Sequence, residues 1–170
     1  MKAIIITGKF VTDSEYVYSY YRLLEEGYKV DVAVKGKETV FGIIGEKVVP
    51  TMDIPIPGRA GEWDLLILPG GAKAMEYLRQ DGMVLDFIAH HHHRGGVIGC
   101  ICHGAQLLIS AGLVRDHKIS GYYSIKDDII NAGGIFIDAP FVTYDRIITS
   151  PHYKYLGPWM KEVLRVASGK

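Results

Sequence analysis

Only two of the 170 residues are cysteine, Cys100 and Cys102, and with a single residue between them they close almost no loop. A disulfide-stapled scaffold is excluded, and both residues read as thiols of a reducing compartment. Net charge is equally scarce, since nineteen Lys+Arg balance nineteen Asp+Glu for a formal charge of zero. No overall positive field is available to hold nucleic acid or an anionic membrane surface. A small neutral or singly charged ligand is the expected partner. Long apolar runs are missing too. The opening MKAIIITGKF has four consecutive apolar residues, short of the roughly 7–15 of a secretory core and the roughly 20 of a membrane span. A cytoplasmic protein is therefore expected, with no membrane partner.

With 48% hydrophobic residues and 20 glycines that follow no collagen-like period, the composition describes one globular domain, residues 1–170, rather than a fibre or a disordered chain. Short β-branched runs alternate with longer amphipathic stretches, the pattern of an α/β fold. Strands are expected at Ala3–Thr7, Lys29–Val34, Asp64–Leu68, Gly96–Ile101, Ile135–Asp138, Phe141–Thr143 and Arg146–Thr149, with a small hairpin of Val40–Phe41 and Lys47–Val49 around Gly45. Helices are expected at Ser14–Glu26, Ala72–Gln80, Met83–His92, His103–Ser110, Ile125–Asn131 and Gly157–Ala167, and the proline-bearing Asp53–Glu62 reads as loop. Six or so strands sandwiched by helices is the expected architecture.

Chemistry concentrates in Gly99-Cys100-Ile101-Cys102-His103-Gly104-Ala105-Gln106, which puts Cys102 where a buried strand turns sharply into a helix. That is a nucleophile elbow with cysteine in place of serine. Free N–H groups and the helix dipole at such a turn favour a thiolate, so a pKa below the ordinary value of about 8.5 is expected. Cys100 falls inside the strand and reads as core. His103 adjoins the thiol and is a candidate to accept or return its proton. The run His90–His93 suggests a metal, but successive helical residues point about 100° apart, so four adjacent imidazoles cannot meet at one ion. His90 and His93 share a side, yet no cysteine or carboxylate completes a set, so the run reads as an exposed helix end. No metal and no cofactor are expected.

The chain resembles the ThiJ/PfpI superfamily, most closely its PfpI branch. The matching blocks are the MKAIIIT start, the helix ending Arg22-Leu23-Leu24-Glu25-Glu26-Gly27, Leu68-Pro69-Gly70-Gly71, the stretch from Ile101 to Gly112, and Ile125-Lys126-Asp127-Asp128-Ile129-Ile130-Asn131-Ala132-Gly133. The resemblance implies one flavodoxin-like domain, related to class I glutamine amidotransferases, as a three-layer sandwich around a mostly parallel sheet. It makes Cys102 the nucleophile and His103 its neighbouring base. Glu15, twelve residues before Gly27, becomes the carboxyl group that hydrogen-bonds the cysteine. Two like charges there are costly, so Glu15 should be protonated or share a proton with the sulfur.

Backbone N–H groups of Gly71 and His103 become the oxyanion site, Gly70, Tyr122 and His152 border the substrate, and Glu76 corresponds to a glutamate that reaches the histidine of a neighbouring subunit. A dimer or hexamer is implied. Two departures stand out: Thr12 replaces an acidic residue, and the segment from Ser150 to Pro158 lacks the usual arginine and helix-capping aspartate. The implied activity is cysteine-dependent glyoxalase- or deglycase-type chemistry on 2-oxoaldehydes or their adducts. Peptide or amide hydrolysis is the nearest alternative, and a redox-sensing or chaperone-like stress protein is the alternative of another class. A glutamine amidotransferase ranks last, because His152-Tyr153-Lys154 does not supply the His-x-Glu that it needs.

Overall fold

The computed structural model describes residues 1–169. In chain order the elements are β1 (Lys2–Ile6), α1 (Asp13–Glu25), β2 (Lys29–Ala33), β3 (Val40–Phe41), β4 (Lys47–Val48), β5 (Leu65–Leu68), α2 (Ala72–Leu78), α3 (Gly82–His93) and β6 (Val97–Ile101). They continue with α4 (Ala105–Ser110), β7 (Lys118–Ile119), α5 (Lys126–Asn131), β8 (Ile135–Phe136), β9 (Val142–Tyr144), β10 (Ile147–Ser150) and α6 (Leu156–Ala167). Six strands form the central sheet in the order β2-β1-β5-β6-β10-β9. All neighbours are parallel except β9 and β10, which pair antiparallel. Residues 51–52 hydrogen-bond along the outer side of β2, through Thr51 N–H and Met52 N–H to the Val32 carbonyl.

Because side chains alternate across a strand, both faces of a parallel sheet must be apolar. Ile4, Ile6, Leu66, Leu68, Ile98 and Cys100 pack on one face with residues of α2, α3 and α4. Ala3, Ile5, Leu65, Ile67, Val97 and Ile101 pack on the other with residues of α1 and α6. Trp159 of α6 is wholly buried and donates its indole N–H to the Ile148 carbonyl at 3.1 Å. The chain leaves β1 for β2 on one side and returns to β5 on the other. The crevice at the carboxyl ends of β1 and β5 is thus the topological switch point at which α/β sheets bind ligands.

Three local readings need correction. The strand read at Ile135–Asp138 is β8, shorter than expected at Ile135–Phe136, and it pairs in parallel with β7, a two-residue strand that its brevity hides in the sequence. The expected helix from His103 begins as a 3₁₀ turn over Cys102–Gly104 and becomes α-helical only at Ala105. The histidine run is an exposed helix end only at His90 and His93. His91 has no exposed surface, and its Nδ1 and Nε2 lie 3.2 and 3.1 Å from the carbonyls of Ala60 and Val97. It packs against Phe87 in α3, the buried side of an amphipathic helix. Burial holds its pKa below the ordinary imidazole value.

The β3–β4 hairpin is short, and side-chain chemistry holds its tip. The buried Asp13 carboxylate, in the first turn of α1, accepts the N–H of Ile44 at 2.9 Å and of Glu46 at 2.7 Å. Burial opposes its charge, but these N–H groups prevail and hold Asp13 below the usual carboxylate range. Asp13→Ala leaves two loop N–H groups without their acceptor. A loss of about 1–3 kcal/mol is expected in urea unfolding, with faster hydrogen exchange at Ile44 and Glu46; unchanged exchange there would show that the hairpin holds itself.

Candidate active site

Three strand ends build the site. Glu15 enters from α1 after β1, Gly70 and Gly71 follow β5, and Cys102 and His103 follow β6. Cys102 sits at φ +59°, a left-handed conformation that costs a non-glycine residue about 1–2 kcal/mol and persists only where its surroundings impose it. The turn presses the side chain inward, leaving Cys102 5% exposed. Its Sγ lies 3.4 Å from His103 Nδ1.

Glu15 has no exposed surface. One carboxyl oxygen, Oε2, accepts the Gly70 N–H at 2.6 Å, while Oε1 is buried without a strict hydrogen-bond partner. Carboxyl and thiol converge over Gly70, where an added Cβ would lie 2.7 Å from both Cys102 Cβ and Glu15 Oε2. Gly71 has φ +102°, and a Cβ there would collide with the Phe10 carbonyl. Neither position admits a side chain.

Burial pushes the Glu15 carboxyl up to about 7, against the opposing pull of the Gly70 N–H and the Cys102 thiol. Burial, then the Glu15 charge, push the Cys102 thiol well above its ordinary value. The N–H groups of His103 and Gly71 act on the same sulfur in the opposite sense, favouring its ionised form. The expectation of a resting thiolate is therefore corrected. The sulfur is too buried and too close to a carboxylate for the two N–H groups to hold it ionised. Glu15 and Cys102 are a coupled pair whose shared proton belongs to neither alone.

Burial holds His103 below the ordinary imidazole value, partly offset by the Glu76 carboxylate of the same chain. Its Nε2 lies 3.4 Å from the Ser124 hydroxyl, and its ring stacks on Tyr122 with centroids 4.5 Å apart. Tyr122 in turn stacks on His152, which contacts Tyr153 at 4.0 Å. These rings wall a cavity of about 500 Å³, with Cys102, His103 and Gly71 at its base and Ile43 and Ile44 of the hairpin at its rim. Thr12 also lines it, leaving a hydroxyl where a carboxylate was implied.

The structure thus brings together Cys102, His103, Glu15, Gly71, Tyr122 and His152. Gly70 holds Glu15 from below rather than lining the cavity, and Glu76 is exposed on α2, acting on His103 through its charge. Ser124, Asp13 and the isoleucines of the hairpin escaped sequence reasoning. Asp13 beside the helix start carried a usable signal, because two loop N–H groups at a hairpin tip need an acceptor.

The raised Glu15 pKa fixes a pH dependence. Between its ordinary value of 4.5 and about 7 the folded chain binds a proton that the unfolded chain has released, so stability falls as pH rises through that window. The loss is on the order of 3 kcal/mol. Urea unfolding at pH 5 and pH 8 should show this difference in the parent and its absence in Glu15→Gln; equal pH dependence in both would place the carboxyl in water.

The DJ-1/PfpI family model matches residues 1–166. A deglycase of Pyrococcus horikoshii is 37% identical over 168 residues, covering 98% of this chain and 99% of that protein. Protein/nucleic acid deglycase 2 of Escherichia coli is 35% identical over 167 residues, covering 96% and 95% of the two chains. Among solved structures, a two-domain protein of Anabaena variabilis with DJ-1/ThiJ/PfpI-like and ferritin-like domains superposes with a TM-score of 0.93 at 26% identity. That match covers 98% of this chain, which spans about half of the longer one, 48%. From the near-complete match to the family model, the collinear relatives and the shared fold, the chain belongs to the DJ-1/PfpI family.

Proposed function

We propose that the chain is a cysteine-dependent enzyme that attacks a small electrophilic carbonyl, performing glyoxalase- or deglycase-type chemistry on 2-oxoaldehydes or their adducts. One observation carries the reading: a thiol and two backbone N–H groups meet at the base of one cavity, and a buried carboxyl group with a pKa near 7 hydrogen-bonds the thiol from behind. Glu15 accepts the thiol proton as Cys102 Sγ bonds to the carbonyl carbon, so the negative charge passes to the carbonyl oxygen rather than accumulating beside the carboxylate. The N–H groups of Gly71 and His103 stabilise that oxyanion. Glu15 then returns that proton to the oxygen, giving a hemithioacetal.

The same nucleophile suits peptide or amide hydrolysis. The aromatic wall and the isoleucine rim favour a small substrate over an extended chain, because a peptide needs an open groove on both sides of the sulfur. Glu76 supports the reading as a charge that steadies His103.

With methylglyoxal as substrate, Cys102→Ser should lose about a thousandfold or more in kcat/KM, and Glu15→Gln roughly a hundredfold or more. Parent kcat/KM should rise as pH passes about 7, where the coupled pair loses its extra proton. Full turnover by Cys102→Ser would remove the nucleophile assignment. Faster cleavage of peptide amides than of methylglyoxal would favour the peptidase reading, and stoichiometric oxidation of Cys102 to sulfinate without turnover the redox-sensing one.

A further inference from the structure

A second cluster of chemical groups lies at the other end of the sheet, where β6 and β10 begin. His92 comes from the last turn of α3, His117 from the loop before β7, and Asp145 from the turn joining β9 to β10. One donor atom of each lies within 4.8 Å of the other two. His92 Nε2 is already 3.4 Å from Asp145 Oδ2. The five residues of β6 separate this cluster from Cys102 by about 16 Å at the rise of a parallel strand.

Each donor is prepared. His117 Nδ1 lies 2.8 Å from the Arg115 carbonyl. A carbonyl only accepts, so Nδ1 carries the proton and Nε2 presents its lone pair. The His92 side chain is 12% exposed, and its Nε2 faces the Asp145 carboxylate. Asp145 is held at φ +53° in its turn, and its carboxylate is 55% exposed, open to an incoming ion. Tyr144 packs edge-on against the His117 ring at 4.8 Å, fixing its plane.

We propose that His92, His117 and Asp145 bind a divalent transition-metal ion of the zinc class, with water in the fourth position. Tetrahedral ligands about 2.0–2.2 Å from zinc stand about 3.4 Å apart. The His92–Asp145 pair meets that spacing as it stands, and side-chain rotation brings in the third donor. Two imidazoles and one carboxylate suit zinc better than magnesium or calcium, which favour oxygen. The ion clips the end of α3, the loop before β7 and the β9–β10 turn, three segments far apart in sequence. This chemistry is independent of whatever Cys102 does.

Untagged full-length protein titrated with ZnCl₂ by calorimetry should bind one ion, and its melting temperature should rise with zinc. His117→Gln and Asp145→Asn should each weaken binding about tenfold or more. Asn tolerates the left-handed turn at position 145, so folding is preserved. His90→Gln and Cys102→Ser should bind as the parent does. The cobalt(II) form should show d–d absorption without a thiolate charge-transfer band. Absence of binding, affinity unchanged in both ligand variants, or a thiolate band lost in Cys102→Ser would each overturn the proposal.

Discussion

A carboxyl group and a thiol share a buried space above Gly70, and the rest of the site follows from the cost of putting both there. Neither group is comfortably ionised alone. One proton held between them lets the pair carry a single negative charge, favoured by the Gly70 N–H on the carboxylate side and by the Gly71 and His103 N–H groups on the sulfur side. The backbone has to come very close for those N–H groups to reach, which is why two successive glycines follow β5 and why Cys102 accepts a strained φ. Strain, burial and charge are thus parts of one arrangement around the sulfur.

Around that centre the walls are built from pieces with little regular structure of their own. The row of rings from His103 through Tyr122 and His152 to Tyr153 keeps the imidazole upright beside the sulfur. Opposite it, the hairpin tip is attached through the Asp13 carboxylate rather than through an extended ladder. The chain therefore spends a buried charge on shaping the cavity mouth. This makes Asp13 a different kind of residue from Glu15, two positions on in the same helix: its carboxylate is fully committed to loop amides and takes no part at the sulfur.

The sheet, its helices and the elbow were legible because parallel strands buried on both faces write themselves as unbroken apolar runs ending in glycine, as Leu65–Leu68 before Gly70 does. Glu15 and Gly71 were placed through family resemblance, and their convergence with Cys102 confirms only that the fold brings them together. What escaped depended on distance in three dimensions. The ionisation state of Cys102 turns on how dry the sulfur is, which no local pattern records. His92 looked like one of four equivalent histidines, whereas its neighbours in space, His117 and Asp145, lie far along the chain. His91, beside it, belongs to the core because helix phase and not residue type decides which imidazole turns inward.

The flanks of the central sheet have one more consequence. At one side the strand Lys29–Ala33 is already hydrogen-bonded to residues 51–52, and at the other the final antiparallel partner, Val142–Tyr144, is only three residues long. Neither offers the long row of free peptide groups that another chain needs to extend a ladder. Both flanks of the central sheet are thus closed to backbone pairing with a further strand, a mode of association that would accept almost any sequence.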